Sequence, residues 1–223
     1  MRTPQIPKFQ IGPDLTVCAG RQRVTSCDLS ATVEPEQFMP QHIQNNFIIL
    51  TGGPGSGKTS LISALGQRGY ATSTEAGRAI IRHHQIVDGP ALPWKDPAIF
   101  AELMLSWEMR SYDSAAESAD LVFFDRGVPD IVGYLELSGL EVPAHVHKAA
   151  GIFRYNPTVF ILPPWPEIFT QDTERKQTLE EAERTFHAMV SAYSDCGYAL
   201  VEVPRVPISE RVAFLVETIG AVT

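Results

Sequence analysis

The stretch FIILTGGPGSGKTS, residues 47–60, joins four apolar residues to a glycine-rich loop and then to a segment that favours helix. A short continuous apolar run is typical of a strand buried on both faces of a sheet, and the glycines interrupt it abruptly. Beyond the loop, Leu61, Ile62 and Leu65 share one helical face, and Gly69 marks the end of the helix. We therefore predict a strand, a loop and a helix in that order.

The loop has the pattern G-x-x-x-x-G-K-[ST], which is met by Gly52, Gly57, Lys58 and Thr59. Glycines allow backbone N–H groups to form a concave cradle for phosphate oxygens, and the following helix adds the positive end of its dipole. The lysine of this pattern reaches the β and γ oxygens, and the hydroxyl of Thr59 binds Mg²⁺. The residues predicted to hold a nucleoside triphosphate, taken as ATP, are Gly52, Gly53, Pro54, Gly55, Ser56, Gly57, Lys58, Thr59 and Ser60.

Composition limits the classes of protein to which the chain can belong. Of its 223 residues, 44% are hydrophobic and 20% charged, and the formal net charge is -8. The negative charge and the lack of a basic run argue against non-specific nucleic-acid binding. No apolar run approaches the roughly 18–20 residues of a membrane span. Cys18, Cys27 and Cys196 form neither a C-x-x-C pair nor an even set, so we expect reduced thiols in a cytoplasmic protein.

Two parts of the chain differ in their patterning. Residues 1–44 contain five prolines and no sustained period, which predicts an irregular N-terminal extension. Residues 45–223 alternate apolar runs with helical patterns, which predicts one α/β domain with five parallel strands.

We expect a long helix from Pro97 to Ser118 that is buried through Ile99, Phe100, Leu103, Met104, Trp107 and Met109. His145 and His147 could share one face of an extended segment, but no Cys or third ligand is near them in sequence, so we expect structural or solvent-facing histidines.

Two charged clusters follow predicted strands, at the sheet edge where ligands bind in such folds. Asp125 and Arg126 come after the apolar run LVFF, and we expect them to bind Mg²⁺ and to stabilise a transferred phosphoryl group, respectively. Alternatively, Asp125 caps a turn and Arg126 pairs with a surface carboxylate. Glu75 follows the second strand, one helical step before Arg78. It is either a base for an acceptor hydroxyl or an exposed structural residue.

A third charged cluster, QDTERKQ at residues 171–177, lies late in the domain. Asp172 and Arg175, followed by Lys176, would close over the phosphates and exclude water from the reaction. Because more Glu and Arg residues follow, the same segment would alternatively form a solvated, ion-paired helix face. The sequence leaves both interpretations open.

In order along the chain, the segments FIILTGGPGSGKTSLISAL, EAGRAII, LVFFDRGVPDIVGYL, DTER and GYALVEVPRVPISERVAFLVETI resemble the NadR-like family of AAA-type ATPases and kinases. This family belongs to the P-loop NTPase superfamily, and the resemblance covers about residues 45–221. It implies a three-layer α/β fold with parallel strand order 2-3-1-4-5, ATP and Mg²⁺ binding, and a lid that carries D-x-x-R. Thr59 and Asp125 are then metal contacts. The catalytic residues that it implies are Lys58, Glu75, Asp125, Arg126 and Arg175.

These observations favour an ATP-dependent phosphotransferase that acts on a small hydroxyl compound or a nucleoside-like acceptor. The alternative is an NTP-hydrolysing ATPase or GTPase that acts as a switch or regulatory module, although no N-K-x-D guanine motif is present. A motor-type ATPase is disfavoured, because the core leaves no room for a helical lid domain and sensor residues. The acceptor, the preferred nucleotide base and the oligomeric state do not follow from the sequence.

Overall fold

Strands and helices alternate along most of the chain in the computed structural model, which describes residues 43–117, 120–169 and 178–222. All of these residues belong to the compact unit Pro40–Thr223. In chain order the elements are β1 (Phe47–Gly52), α1 (Lys58–Gln67), β2 (Ala71–Thr72), α2 (Ala76–Ile86), α3 (Pro97–Ala116), β3 (Val122–Asp125), α4 (Val128–Leu137), α5 (Ala144–Ile152), β4 (Thr158–Leu162), a 3-10 helix (Pro166–Ile168), α6 (Leu179–Asp195), β5 (Ala199–Glu202) and α7 (Ile208–Val222).

The five strands form one parallel sheet in the order β2-β3-β1-β4-β5. Side chains of β1 alternate between the two faces of the sheet, as the strand period requires. Ile48 and Leu50 pack with residues of α1 and α7, whereas Phe47 and Ile49 pack with residues of α3 and α6. The predicted fold class, a three-layer α/β fold with strand order 2-3-1-4-5, is confirmed.

Helices α3, α4, α5 and α6 pack against one another on one side of the sheet. Val128, Ile131 and Leu135 of α4 form the centre of this cluster, and Val146 of α5 packs beside them. Helix α2 packs separately against α3 through Ile80, Ile81 and Phe100, among other residues. This arrangement opens a space between α2, α3, α4 and α6 beside the ends of the strands.

The long helix predicted from Pro97 exists as α3, and Phe100 is buried as expected, but two of the other positions predicted to be buried are exposed. Ile99 and Leu103 are 41% and 36% exposed, whereas Leu105, Glu108 and Tyr112 are buried. The reason is that α3 packs on α2 along one side and on α4 along the other. A single apolar stripe read from the sequence does not describe such a helix.

Two other predictions concern the segment with His145 and His147 and the N-terminal extension. The segment with His145 and His147 is the start of α5, so the extended conformation expected there is wrong. On a helix, residues two apart point in different directions, and His145 instead pairs with Glu102 at 2.8 Å. The N-terminal extension, residues 1–44, lies outside the described residues except for its last two positions, so its irregular structure and the domain boundary stay predictions.

Candidate functional site

The glycine loop joins the central strand to the first helix, as predicted. β1 ends at Gly52 and α1 begins at Lys58, whose side chain is buried. The Lys58 ammonium donates to the carbonyl oxygens of Gly52 at 2.9 Å and Gly53 at 2.8 Å. The Ser56 hydroxyl also donates to the Gly53 carbonyl, at 2.9 Å. These bonds hold a positive charge at the loop, where an anion binds.

Two glycines of the loop are required for different physical reasons. Gly57 has a φ of 83°, a left-handed conformation that favours glycine, and α1 begins directly after it. At Gly53 the constraint is space, since a Cβ atom would collide with the backbone carbonyl of Ala182 in α6. Helix α6 therefore packs directly against the phosphate-binding loop.

A cavity of about 430 Å³ opens at this loop, and we call it the P-loop cavity. The residues that line it are Pro54, Gly55, Ser56, Gly57, Lys58, Thr59, Ser60, Glu75, Arg78, Trp165, Ile168, Val206, Pro207, Ile208 and Arg211. Seven of the nine predicted phosphate-binding residues therefore line it, all except Gly52 and Gly53. Its volume lies in the range of about 300–1,000 Å³ that is typical of small-molecule sites.

Arg211 contributes to the P-loop cavity although the sequence reasoning did not single it out. Its guanidinium donates to the Ser56 carbonyl at 3.1 Å and lies 5.6 Å from the centre of the Trp165 ring. Burial lowers the pKa of this side chain. Arg211 and Ser56 are 155 residues apart, so no local pattern in the sequence connects them.

Asp125 lies at the end of β3 and is buried beside the loop. Its backbone N–H donates to the Ser73 hydroxyl at 3.0 Å, whereas its Oδ1 atom has no hydrogen-bond partner among the described residues. Burial and then the nearby charge of Glu75 raise the pKa of Asp125, against the opposite effect of Lys58. A buried carboxylate oxygen without a donor fits the oxygen ligands that Mg²⁺ takes. With the hydroxyl of Thr59, in the first turn of α1, this residue suits the predicted metal contact.

Arg126 has an unusual backbone and a side chain that is only 15% exposed. Its φ is 81°, a conformation that is rare for residues other than glycine and recurs at functional sites. The guanidinium contacts Asp130 at 2.8 Å and Glu75 at 3.7 Å. Burial opposes its charge, but the carboxylates of Asp130, Glu75 and Asp125 outweigh that effect and raise its pKa. The alternative of a surface ion pair for Arg126 is therefore wrong.

Asp130 connects several elements at this site and was missed by the sequence reasoning. It accepts hydrogen bonds from the Thr51 hydroxyl at 2.6 Å and the Tyr193 hydroxyl at 2.6 Å. It also accepts from the Gly127 backbone at 3.0 Å, which caps the start of α4. An acidic residue in the first turn of the predicted helix was the available signal. Asp130 thus ties β1, α4 and α6 to Arg126.

Glu75 precedes α2 and faces the same space. Its side chain is 9% exposed, so the alternative of an exposed structural residue is wrong. One carboxylate oxygen lies 3.1 Å from Arg78 and the other lies 3.7 Å from Arg126. The two guanidinium groups hold the carboxylate in a defined position next to the loop.

A second cavity of about 380 Å³, here called the helical cavity, lies between α2, α3, α4 and α6. Pro54 and Glu75 line both this cavity and the P-loop cavity. Trp94 lines the helical cavity, whereas Trp107 packs with α2. Glu108 also lines it, and no sequence pattern had marked this residue.

The lid cluster is not part of the described structure. Asp172, Arg175 and Lys176 lie outside the described residues, so both interpretations of this segment stay predictions. Among residues 43–117, 120–169 and 178–222, no three His, Cys, Asp or Glu side chains are grouped to hold a metal ion by themselves. In the same residues, no helix is long and apolar enough to cross a membrane.

Comparison with known proteins identifies the family. The family model described as an AAA domain matches residues 47–211. The chain belongs to the AAA-domain family. It is a P-loop nucleotide-binding domain, and the expected P-loop family is confirmed, whereas nothing in the matches supports a NadR-like specificity.

Solved structures of deoxyadenosine kinase from M. mycoides are similar in fold to this chain. The structure with the products dCMP and a flexible dCDP has a TM-score of 0.57 at 11% identity, and the match covers 78% of this chain and 99% of that one. The structure with bound dATP has a TM-score of 0.52 at 12% identity, with coverage of 78% and 98%. At such identities the likeness shows the fold alone. None of the curated proteins matches the chain.

Proposed function

We propose that the protein is an ATP-dependent kinase that transfers the γ-phosphoryl group to a hydroxyl of a small, nucleoside-like acceptor. The observation that carries this proposal is the pair of adjoining cavities with Glu75 in the wall of both. An enzyme that joins two substrates needs two sites that meet at the reacting groups. The similarity in fold to deoxyadenosine kinase is consistent with this proposed kinase function.

The P-loop cavity suits the donor nucleotide. In the proposal, residues 52–60 surround the phosphates, and Lys58 moves from its loop carbonyls to the β and γ oxygens. The wall that Trp165, Pro207 and Ile208 provide is suited to the nucleotide base. Arg211 lies between this wall and the loop, where it can orient the phosphates.

The proposed chemistry uses the charged residues between the two cavities. The acceptor hydroxyl oxygen attacks the γ-phosphorus, forming one P–O bond while the bond to the β–γ bridging oxygen breaks and ADP leaves. Glu75 accepts the hydroxyl proton. Arg126 stabilises negative charge on the transferred group, together with Arg175 from the lid segment. Asp130 is a positioning residue, because it holds the guanidinium of Arg126 in place.

Magnesium completes the site in this proposal. Thr59 and Asp125 would hold it, and the ion would neutralise charge on the phosphates as transfer proceeds. The Asp125 oxygen that lacks a hydrogen-bond donor is the structural feature that fits such a contact.

The test is ATP turnover by the full chain with Mg²⁺, alone and with pooled nucleosides and small alcohols. A kinase turns over slowly alone, and one pool raises the rate with a phosphorylated product that mass spectrometry detects. Lys58→Ala controls for contaminating enzymes, and the exposed Lys95→Ala is its matched control. Hydrolysis at the same rate with every pool, or ATP binding without turnover, would instead favour an NTP-hydrolysing switch or regulatory module.

A further inference from the structure

Glu108 is a buried polar side chain of the helical cavity that the proposed phosphoryl transfer does not use. It lies in α3, is 3% exposed and lines the cavity. No described residue hydrogen-bonds to its carboxyl group or forms an ion pair with it. Buried polar groups in folded proteins nearly always have partners. A buried carboxyl group that faces a cavity without one is therefore placed to bind a ligand.

Among the described residues, Arg126 is the cation that acts on Glu108, and it is paired with other carboxylates. Those that act on it are Asp130 from α4, Asp125 and Arg126 from the end of β3, and Glu75 before α2. Arg126 already contacts Asp130 at 2.8 Å and Glu75 at 3.7 Å. Burial first, and then the carboxylates, raise the pKa of Glu108 well above its usual value, and Arg126 opposes them only in part. Burial and the neighbouring carboxylates therefore favour the uncharged form of Glu108.

The rest of the cavity wall is largely apolar and aromatic. Phe100 and Tyr134 meet edge to face with ring centroids 5.4 Å apart, and Met104, Ile131 and Met189 lie on the same wall. Burial raises the pKa of Tyr134 as well, so its hydroxyl also stays uncharged. Flat aromatic and polarisable side chains favour a planar ring over a flexible, strongly hydrated molecule.

We propose that Glu108 selects the acceptor by hydrogen-bonding, through its buried carboxyl group in the cavity wall, to a neutral planar ring whose edge carries a hydrogen-bond donor next to an acceptor. Such an edge is found in the amide-like groups of nucleobases. A protonated carboxyl group has one donor and remaining acceptor capacity, which complements this edge. The inference rests on the proposed function, because it takes the helical cavity as the acceptor site.

A cationic acceptor is the competing occupant, because an ionised Glu108 would pair with an ammonium or ring cation. The structure favours the neutral ring, since burial opposes ionisation of Glu108 before any ligand enters. Two variants separate these occupants. Glu108→Gln keeps one donor and acceptor pair in the same place but cannot carry a charge, whereas Glu108→Leu keeps the approximate size and removes both groups.

The experiment measures dissociation constants by calorimetry on the full chain with ADP and Mg²⁺. The probes are adenosine, cytidine, guanosine, uridine and a cationic, ring-methylated adenosine. We expect at least one neutral nucleoside to bind the wild type and Glu108→Leu to weaken that binding by about 10-fold or more. Glu108→Gln should restore it to within about 3-fold. Equal affinity for ADP in all three proteins, together with thermal unfolding, checks that the variants fold.

Three results would overturn the inference. They are failure of every probe to bind, unchanged binding in Glu108→Leu, and equal losses in both variants with a preference for the cationic probe. Phosphoryl transfer to the bound probe is measured separately. Glu108-dependent binding without transfer supports the inference and contradicts the proposed kinase, whereas transfer that is independent of Glu108 does the reverse.

Discussion

The P-loop cavity and the helical cavity lie side by side but are built in opposite ways. Seven of the residues that line the first are consecutive, from Pro54 to Ser60. The second is assembled mainly from four helices, and its lining residues range from Pro54 to Met189. Local backbone conformation forms the first, and long-range packing forms the second. A binding site can therefore be predicted from sequence only to the extent that residues close together in the chain supply its atoms.

Glu75 belongs to both cavities, and its replacement should have the largest effect. We expect Glu75→Gln to lower kcat by about 10²–10⁴-fold, because an amide cannot accept the acceptor's proton. The dissociation constant of ATP should stay within about 3-fold of the wild type, since Glu75 is not expected to hold the phosphates. Steady-state kinetics and ATP titration measure the two quantities. Glu180→Gln, an exposed change on α6, is the matched control; equal activity of the two variants would contradict the assignment.

Asp130 tests the part of the site that depends on packing. We expect Asp130→Ala to reduce the free energy of unfolding by about 3–5 kcal/mol, because it removes the closest partner of the buried Arg126. Urea unfolding measures this difference. The exposed Asp113→Ala should change stability by less than about 0.5 kcal/mol. If the two variants lose similar stability, Asp130 does not hold the helical side of the site together.

Lys58 tests the local part of the site. Lys58→Ala should lower kcat by about 10²–10³-fold, as expected when a donor to a developing negative charge is removed. The measurement is turnover of ATP with the identified acceptor, and Lys95→Ala should leave it unchanged. A fall in kcat no larger than that of the control would show that the loop lysine has no part in the transfer.

Replacing Glu108 should have the smallest effect, which is a specific change in how the free energy of unfolding depends on pH. Its pKa is raised in the folded protein above the unfolded value of about 4.3. The stabilisation from this proton is therefore complete below pH about 4 and is lost as pH rises through the folded pKa. Relative to Glu108→Gln, the wild type should lose up to about 1.4 kcal/mol of unfolding free energy per pH unit in that window. Urea unfolding at several pH values measures it, and parallel curves for the two proteins would contradict an uncharged Glu108.

All five strands were predicted from the sequence, whereas one weakly patterned helix was not. The strands β1, β3 and β4 are continuous apolar runs bounded by turn residues, so they were recognised. Helix α5 was missed because AHVHKAAGI has only nine residues and little periodicity. For α3 the element was right, but Ile99 and Leu103 are exposed rather than buried, because two different partners share the burial of one helix.

Among the candidate site residues, those next to strand ends were found where expected. Asp125 and Glu75 lie at neighbouring strand ends, because the carboxyl ends of parallel strands meet at one edge of the sheet. Arg211 and Glu108 were missed, because each lies within a helix that resembles many others in sequence. Their relevance arises from the loop or cavity that they face, and those neighbours are distant along the chain.

The sequence by itself determined the phosphate-binding loop, the order of strands and helices, and the charged residues at the strand ends. These features depend on glycine conformations and on hydrophobic periods, which operate over a few residues. Only the tertiary structure decided that Arg126 pairs with Asp130, that Glu75 borders two cavities and that Glu108 lines one of them with no hydrogen-bond partner among the described residues. Burial and charge at a point in space depend on every element packed around it, and no single segment carries that information.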